Sequence, residues 1–327
     1  MAYPFGRTSP AWEAAGAARF EQISPLLAQG DLAVANLEGP WTRRQLADPA
    51  NRVLVTPPER LAWLVAAGFN LFSVANNHSL DAGLPGMSDT LREIHALSTS
   101  DRPLWVAGAG ADSAAAEAPA EIVIAGKRTR LALFAFAPAA FTLVDYGRSP
   151  TALARIRTAA SAGRTVIVSV HDGDEFRHVP GAELCARYRS YVDAGARVVL
   201  GHHPHVAQGI ERHGAGVIFY SLGNLSFGVL ANRERTGGAF EYGLLARVTL
   251  RDGQLDDVRA FPLFIGNMEP LRDAGVSVAP QFTRPQRLLG PLGEAACRRI
   301  VGWSNAVPGA DKTDLSCVDD AIVVALK

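Results

Sequence analysis

Apolar and amphipathic runs alternate along the chain as far as Asn224. The strand-like apolar runs are Asp31–Glu38, Asn70–His78, Arg130–Ala137, Arg164–His171, Ala196–His203 and Gly216–Asn224. The runs with helical spacing are Pro57–Gly68, Gly86–Leu97 and Gly181–Gly195. Strands that alternate with helices and lack their own polar face predict a layered α/β fold whose sheets are covered on both sides.

The pattern changes from about Phe240. "EYGLLARVTL" and "QLDDVRAFPLF" predict two antiparallel strands around the turn Arg251–Gln254. Beyond about Gly266, proline and glycine are scattered around one predicted helix near Leu288–Val301. We interpret residues 1–265 as one domain and residues 266–327 as a C-terminal extension packed on it, with a separate small domain as the alternative.

Polar side chains follow the predicted strands where each strand stops. They are Asn36 and Glu38; Asn76, Asn77, His78 and Asp81; His171, Asp172, Asp174 and Glu175; His202, His203 and His205; and Ser221 and Asn224. Ligands of α/β sheets bind at the carboxyl ends of the strands, so these residues predict one shared site. His95, His178 and His213 lie away from the strand ends and are expected on the surface or in the core.

The residue types at these strand ends are those of a metal site. "LGHHPHVA", Leu200–Ala207, carries three histidines within four positions. A carboxylate, an amide oxygen and several imidazoles are a ligand set for Mn, Fe or Zn, and two such ions can share a carboxylate. We expect His203 and His205 to lie on one face of an extended segment, because side chains alternate along it, with Pro204 stiffening it.

The amino-acid composition limits the classes of protein to which the chain can belong. The chain has 327 residues, is 48% hydrophobic and 20% charged, and has a formal net charge of +0. That is an ordinary globular composition, with no broad basic field for nucleic acid. We find no signal peptide and no run of about 20 apolar residues that could span a membrane, so the chain as given is predicted to be cytoplasmic.

Cysteine usage adds one expectation. Cys185, Cys297 and Cys317 are widely spaced and form no CxxC pair. We therefore expect buried, reduced thiols rather than a disulfide framework or a zinc–thiolate site.

Five segments, taken together and in order, resemble a known family. "VANLEGP", "VANNHSLDAG", "VSVHDGDEF", "GARVVLGHHPHVAQGIE" and "FYSLGNLSF" are similar to the motif series of the CapA family, the capsule-synthesis proteins linked to poly-γ-glutamate. The resemblance covers about Tyr3 to Phe264 and includes "YPFG" at Tyr3–Gly6. It implies a four-layer α/β/β/α sandwich like that of the calcineurin-type metallophosphatases, with a metal site at the strand ends.

The same resemblance implies roles for individual residues. The implied metal ligands are Glu38, as a bridging carboxylate, Asn77, His171, His203 and His205. His78 would be the catalytic acid or would stabilise developing negative charge, and Asp81 would orient it. We expect six further residues to contact the substrate or to hold the metal ligands in place from behind: Asn36, Asn76, Glu175, His202, Ser221 and Asn224.

The sequence departs from the family pattern at two places. Family members usually begin with a strand that ends in Gly-Asp, upstream of the segment similar to Tyr3–Gly6. Here either the given sequence starts late or the protein lacks one metal ligand. Two questions therefore remain open: whether the fold includes that first strand, and whether the site holds one divalent ion or two. In addition, Asp172 stands where the family more often has an aromatic residue.

Two functions follow from the resemblance. The first is a metal-dependent hydrolase that cleaves a phosphoester or a γ-glutamyl or peptide amide through a metal-activated water. The alternative is a non-hydrolytic component of poly-γ-glutamate or peptide assembly, with a reduced or vestigial metal site. The expected partner is a small molecule, a peptide or polyglutamate, and no nucleic acid.

Overall fold

The structure is a computed structural model that describes residues 15–44, 54–110, 112–124, 126–127, 129–137, 150–226, 243–265, 285–310 and 313–326. Tyr3–Gly6 lies outside the described residues. The helices are α1 Ser24–Leu27, α2 Leu61–Ala67, α3 Gly83–Leu97, α4 Ser113–Glu117, α5 Pro150–Ser161, α6 Ala182–Asp193 and α7 Gly290–Asn305, with 3-10 turns at Gly16–Phe20 and Pro58–Arg60.

The strands fall into three sheets. They are β1 Val34–Asn36, β2 Leu71–Ser73, β3 Trp105–Ala107, β4 Ala120–Val123, β5 Arg130–Phe136, β6 Thr165–His171, β7 Ala196–His202, β8 Ile210–His213, β9 Gly216–Phe219, β10 Gly243–Arg251, β11 Gln254–Phe264, β12 Gln286–Arg287, β13 Leu315–Val318 and β14 Ala321–Val324. The predicted apolar runs thus form strands, although β1 and β2 are only three residues long.

A six-stranded sheet has the order β4-β5-β6-β7-β9-β8. Its four central strands run parallel, and β4 and β8 join the two edges antiparallel. Side chains alternate between its faces: Leu131 and Leu133 pack toward the other sheets, whereas Phe134 and Phe136 pack against α5 and α6. Both faces are therefore buried, which explains why these strands are apolar throughout.

The remaining two sheets form one further layer. The parallel sheet β1-β2-β3 and the antiparallel sheet β10-β11-β14-β13 each place some side chains toward the six-stranded sheet, among them Leu71 and Phe264, and others toward α2 and α3, among them Phe72 and Leu263. Helices, two sheet layers and helices follow in that order. The predicted four-layer α/β/β/α arrangement is confirmed.

The predicted hairpin around Arg251–Gln254 is also confirmed. Strands β10 and β11 pair antiparallel up to Arg251 and Gln254. Asp252 and Gly253 between them have positive φ angles of 50° and 76°. An Asp-Gly pair is the preferred sequence for such a two-residue turn, because both central residues adopt positive φ.

The C-terminal residues contact both sheet layers. Strand β14 pairs with β11, and Ile300 of α7 and Ile322 of β14 belong to the core between the layers. The predicted division at residue 265 remains a prediction. Among the described residues, no helix is long and apolar enough to cross a bilayer.

The expectation of reduced cysteines was wrong for two of the three. Cys297 of α7 and Cys317 of β13 form a disulfide with a Cα–Cα distance of 5.9 Å, and Cys185 is free and buried. The two bonded cysteines are 20 residues apart in sequence, and only the packing of α7 on the β13–β14 hairpin brings them together. Sequence spacing carries no signal of that packing.

Candidate metal centre

The candidate site lies where strands of the two sheet layers end. Strands β6 and β7 are parallel neighbours with His171 opposite His202, and β1 and β2 are parallel neighbours with Asn36 opposite Ser73. The predicted ligands are His171, the last residue of β6, and residues of the loops that follow β1, β2 and β7. Glu38, Asn77, His171, His203 and His205 therefore converge from separate stretches of the chain.

The innermost group consists of Glu38, His171 and His203, each offering one ligand atom within 4.8 Å of the others. Glu38 is 4% exposed, and its Oε1 lies 3.7 Å from His171 Nε2 and 3.6 Å from His205 Nε2. That oxygen makes no hydrogen bond within the described part of the chain. A buried carboxylate oxygen that has no hydrogen-bond donor and is surrounded by imidazole nitrogens is the arrangement of protein atoms expected at a cation site.

The orientation of His171 is fixed from both sides of its ring. Asn36 Nδ2 lies 3.3 Å from His171 Nδ1, and Asn77 Oδ1 lies 2.8 Å from His171 Nε2. His203 Nδ1 is 3.2 Å from the same Nε2. Asn77 and His203 thus meet at the ring nitrogen that faces Glu38, while Asn36 supports the ring from behind.

The surroundings of His171, His202 and His203 favour the neutral form of each imidazole. Burial, followed by the neighbouring imidazoles, lowers the pKa of His171 well below its usual 6.5, and burial also lowers the pKa of His203. Burial lowers the pKa of His202 to about 3. Because only a neutral imidazole has a lone pair for a metal, this environment favours cation binding near neutral pH.

His203 and His205 do not lie on an extended segment, so that part of the sequence prediction was wrong. Strand β7 ends at His202, and His203 and His205 have positive φ angles of 96° and 59°. The ring centroids are 6.0 Å apart. Both rings reach the site because the backbone turns at each histidine, and not because side chains alternate along a strand.

His205 belongs to a second, more exposed group with Glu175 and His203, whose ligand atoms also lie within 4.8 Å of one another. Asn224 fixes His205: its Oδ1 is 3.0 Å from His205 Nδ1, and its Nδ2 donates to the His205 carbonyl at 3.1 Å. The ring of Phe176 stacks on His205 at 6.0 Å. The two groups share His203. Together they contain candidate ligands for one cation or for two neighbouring cations.

His78 and Asp81 form a pair beside the ligands. His78 Nδ1 lies 2.8 Å from Asp81 Oδ2, which also accepts a hydrogen bond from Leu54 N at 2.7 Å. Burial alone would lower the pKa of His78, but the hydrogen bond to Asp81 and the negative charges of Asp81, Glu38 and Glu175 raise it above 6.5 overall. His78 therefore differs from His171 and His203 in having a pKa that is raised rather than lowered.

The other predicted contact residues lie close behind the site. Asn76 is fully buried and hydrogen-bonds the backbone of Leu37, Gly39, Val74 and His78, so it joins the loops after β1 and β2. Ser221 accepts a hydrogen bond from Gly223 N. The Nε2 atom of His202 is buried and has no hydrogen-bond partner among the described residues.

Arg187 is a residue of this region that the sequence did not single out. It lies on α6 and forms an ion pair with Asp172, which is 8% exposed and follows His171 directly. The pair neutralises the additional charge that Asp172 brings to the site. An aspartate next to a histidine that is a predicted metal ligand is the signal in the sequence that could have prompted a search for a cationic side chain on a neighbouring helix. Phe176 was also missed, although it follows Glu175 directly.

Comparison with known proteins identifies one matching family. The family described as "Bacterial capsule synthesis protein PGA_cap" matches residues 10–229. "PGA biosynthesis protein CapA" of Bacillus subtilis is 30% identical over 235 residues, which are 69% of this chain and 60% of that protein. "Capsule biosynthesis protein CapA" of Bacillus anthracis is 30% identical over 241 residues, or 69% of this chain and 57% of that protein. The chain thus spans less than two thirds of the length of these two relatives.

More distant similarity extends over more of the chain. A "Probable polyglutamine synthesis accessory protein" of Mycobacterium tuberculosis is 26% identical over 309 residues, covering 86% of this chain and 79% of that protein. Among solved structures, a hypothetical protein from Thermus thermophilus aligns with a TM-score of 0.46 and 19% identity, over 78% of this chain and 94% of that one.

Proposed function

Because the chain belongs to the bacterial capsule synthesis protein PGA_cap family, we propose that it is a metal-dependent hydrolase that works in poly-γ-glutamate or related peptide metabolism. Its substrate is a phosphoester or a γ-glutamyl or peptide amide. The names of the Bacillus relatives, which refer to PGA and capsule biosynthesis, support this metabolic context.

One observation carries the proposal: a buried carboxylate oxygen without a donor among the described residues lies between imidazole nitrogens. Glu38 Oε1 is within 3.7 Å of His171 Nε2 and 3.6 Å of His205 Nε2 but makes no hydrogen bond to any described residue. An isolated buried carboxylate is costly, and a divalent cation held by Glu38, Asn77, His171, His203 and His205 would compensate that cost. Nitrogen and oxygen ligands of these types suit Mn, Fe or Zn.

A bound divalent cation would supply Lewis acidity and make a coordinated water more acidic. Around it, this chain's own residues have separate tasks. Asn36 and Asn224 hold the rings of His171 and His205, and Asn76 holds the loop that carries Glu38. These contacts keep the ligands in place before any substrate arrives.

His78 is the residue suited to move a proton. Its pKa is raised by the hydrogen bond to Asp81 and the nearby carboxylates, so it keeps its proton to a higher pH than an ordinary histidine. Its Nδ1 is bonded to Asp81, which leaves Nε2 for a substrate. An imidazolium at that place can stabilise negative charge on the substrate or protonate a leaving oxygen or nitrogen. Asp81 fixes the ring through Nδ1, as an orienting carboxylate does in other sites.

The test replaces ligand histidines and measures bound metal and turnover. His203→Ala and His205→Ala are compared with His95→Ala, whose side chain is exposed on α3 away from the strand ends. After loading with Mn²⁺, Fe²⁺ or Zn²⁺ and gel filtration, we expect at least one ion in the wild-type protein and in His95→Ala, and a loss in the other two variants. Turnover of bis(p-nitrophenyl) phosphate and of γ-glutamyl p-nitroanilide should fall in parallel.

Each contrary result has a distinct meaning. Unchanged metal content in His203→Ala and His205→Ala would overturn the assignment of the ligands. Less than one ion per chain in the wild-type protein, together with no turnover of either compound, would instead support the second candidate, a non-hydrolytic component of polymer assembly. That candidate is favoured by the word "accessory" in the name of the Mycobacterium tuberculosis relative.

A further inference from the structure

Hydrogen bonds join the loop that follows β6 to the loop that follows β7. The first loop carries Glu175 and the second carries His203 and His205, which together form the more exposed group of candidate ligands. Three of the bonds run from Phe176 N to Pro204 O (2.9 Å), from Gln208 Nε2 to Arg177 O (2.7 Å) and from His178 Nδ1 to Ala207 O (3.0 Å). The place of Glu175 beside the two histidines therefore depends on these bonds, here called the loop junction.

The loop junction holds a backbone conformation that few residues other than glycine adopt. Phe176 has a φ angle of 62°, and His203 and His205 have φ angles of 96° and 59°. Positive φ is strained for a residue as bulky as phenylalanine, and such a conformation persists only where surrounding contacts hold it. The hydrogen bond of Phe176 N and the stacking of its ring on His205 are contacts of this kind. A loosened loop junction would therefore allow both loops to relax away from the site.

Helix α7 contacts the loop junction through Trp303. The indole ring stacks on the imidazole of His178, with the ring centroids 3.9 Å apart and the ring planes 7° from parallel. A ring that lies flat against its neighbour restricts the orientation of that neighbour. Trp303 thereby holds the imidazole in the orientation in which Nδ1 donates to Ala207 O.

The end of α7 that carries Trp303 is fixed against the start of β8. Ser304, the next residue of the helix, accepts a hydrogen bond from Ile210 N at 2.8 Å. A Cβ atom on Gly209 would lie only 2.8 Å from Ser304 Cα, so the helix and the chain before β8 approach too closely for any side chain at Gly209. Helix α7 is therefore a fixed support for the ring that stacks on His178.

We infer that Trp303 is a positioning residue, which acts through His178 to hold Glu175 beside His203 and His205. The stack keeps the imidazole bonded to Ala207 O, that bond helps to close the loop junction, and the closed junction keeps the three candidate ligands together. Trp303 lies outside residues 10–229, the part of the chain that matches the family. The inference rests on the proposed metal centre for its effect on ion binding, whereas its effect on the loops needs no ion.

The first measurement follows the loop junction in the metal-free full chain by amide hydrogen exchange. Exchange at Phe176 reports whether the junction is closed, because Phe176 N donates to Pro204 O across it. We expect Trp303→Ala to speed this exchange about tenfold, and Trp303→Phe, which keeps a ring that can stack, to leave it near the wild-type rate. Exchange at Asp172, whose N–H bonds to His202 O where β6 and β7 are still paired, should change little.

The second measurement is the affinity for Mn²⁺ or Zn²⁺, titrated into the same metal-free variants. Trp303→Ala should bind the ion about tenfold more weakly, as when a residue behind a ligand is lost, and Trp303→Phe should restore the affinity. His178→Ala removes the other half of the stack from a half-buried position and should give the same loss, to which Trp303→Ala adds little in the double variant. The matched control is Ile300→Ala, one turn earlier on α7, which removes fully buried core surface and leaves the stack in place.

Contrary results separate this inference from the proposed function. Unchanged exchange at Phe176 in both Trp303→Ala and His178→Ala would overturn the inference, and so would equal effects of Trp303→Ala and Ile300→Ala. Faster exchange with an unaltered ion affinity would overturn it as well, because the loops would then not position the ligands. A wild-type protein that binds neither ion would contradict the proposed metal centre, and exchange at Phe176 would still decide whether Trp303 holds the loops.

Discussion

The six-stranded sheet carries two buried clusters of ionisable side chains that differ in how well their polar atoms are paired. At the edge of the sheet, Glu211 is 1% exposed, accepts from Arg189 Nε at 2.9 and 3.2 Å, and accepts from Tyr220 Oη at 2.5 Å. At the strand ends, Glu38 is 4% exposed, yet its Oε1 has no donor within the described residues.

This difference separates a structural cluster from a binding cluster. The Glu211 cluster joins three elements, since Arg189 on α6 also donates to Pro308 O beyond α7 at 2.8 Å. Its hydrogen bond to Glu211 raises the pKa of Arg189 against the opposing effect of burial. The Glu38 cluster instead places its carboxylate oxygen between the imidazole nitrogens of His171 and His205. A buried charge that the protein itself satisfies stabilises the fold, whereas one that is left unsatisfied marks a place for a ligand.

The largest expected effect comes from removing the two carboxylates. Glu211→Ala leaves Arg189 buried without its partner, and we expect a loss of about 3–5 kcal/mol in the free energy of unfolding. Glu38→Ala in metal-free protein should leave it unchanged or raise it, because Oε1 makes no hydrogen bond to a described residue and the cost of burying the carboxylate is removed. Urea unfolding of both variants without metal measures the contrast, and equal destabilisation would show that Glu38 is as structural as Glu211.

The next effect comes from the disulfide, which lies on the side of the Glu211 cluster. Cys317→Ala opens a loop of 20 residues and should lower the free energy of unfolding by about 3 kcal/mol. Thiol titration of the unreduced, unfolded wild-type protein should detect Cys185 alone. Cys185→Ala is the control for losing a sulfur without losing a cross-link.

The Cys317→Ala variant also tests whether α7 supports the Glu211 cluster. Ser304 on α7 accepts from Ile210 N at 2.8 Å, next to Glu211, so a loosened α7 should speed amide exchange at Ile210. Exchange at Val168, in the middle of β6, should change little. Faster exchange at Val168 than at Ile210 would contradict the assignment of α7 to the structural cluster.

The smallest effect concerns the pH dependence of His78, whose side chain is 21% exposed. Its folded-state pKa lies above 6.5, so the stability it adds is complete below pH 6.5 and is lost as the pH rises through the folded-state value. In metal-free protein, His78→Gln should therefore be most destabilising at about pH 5.5–6 and less so above pH 8. Thermal unfolding across this range measures it, and a difference that grows with pH would contradict the raised pKa.

The sequence predicted the layered fold because strand alternation with helices leaves a strong pattern. The apolar runs Arg130–Ala137 and Arg164–His171 coincide with β5 and β6 within one residue at each end. The resemblance also named the residues that converge at the site. What it could not supply was backbone direction: the turn at His203 and His205 follows from local geometry after β7, and alternation along an extended segment was the wrong model for it.

Contacts between distant elements were the other limit. The Cys297–Cys317 bond, the ion pair of Asp172 with Arg187 and the pairing of Glu211 with Arg189 each depend on how a helix packs against a strand or loop. Single-residue patterns report which face of an element is buried but not which partner it meets.

The positive φ angles of His203 and His205 have a consequence for how this protein can change. Residues other than glycine in that region carry conformational strain of about 1–3 kcal/mol each. The fold itself would gain stability if glycine replaced either histidine, and the proposed metal centre would lose one of its imidazoles at the same moment. Stability and the proposed ion binding therefore oppose each other at these two positions, so a search for heat-resistant variants would select against residues of the proposed metal centre.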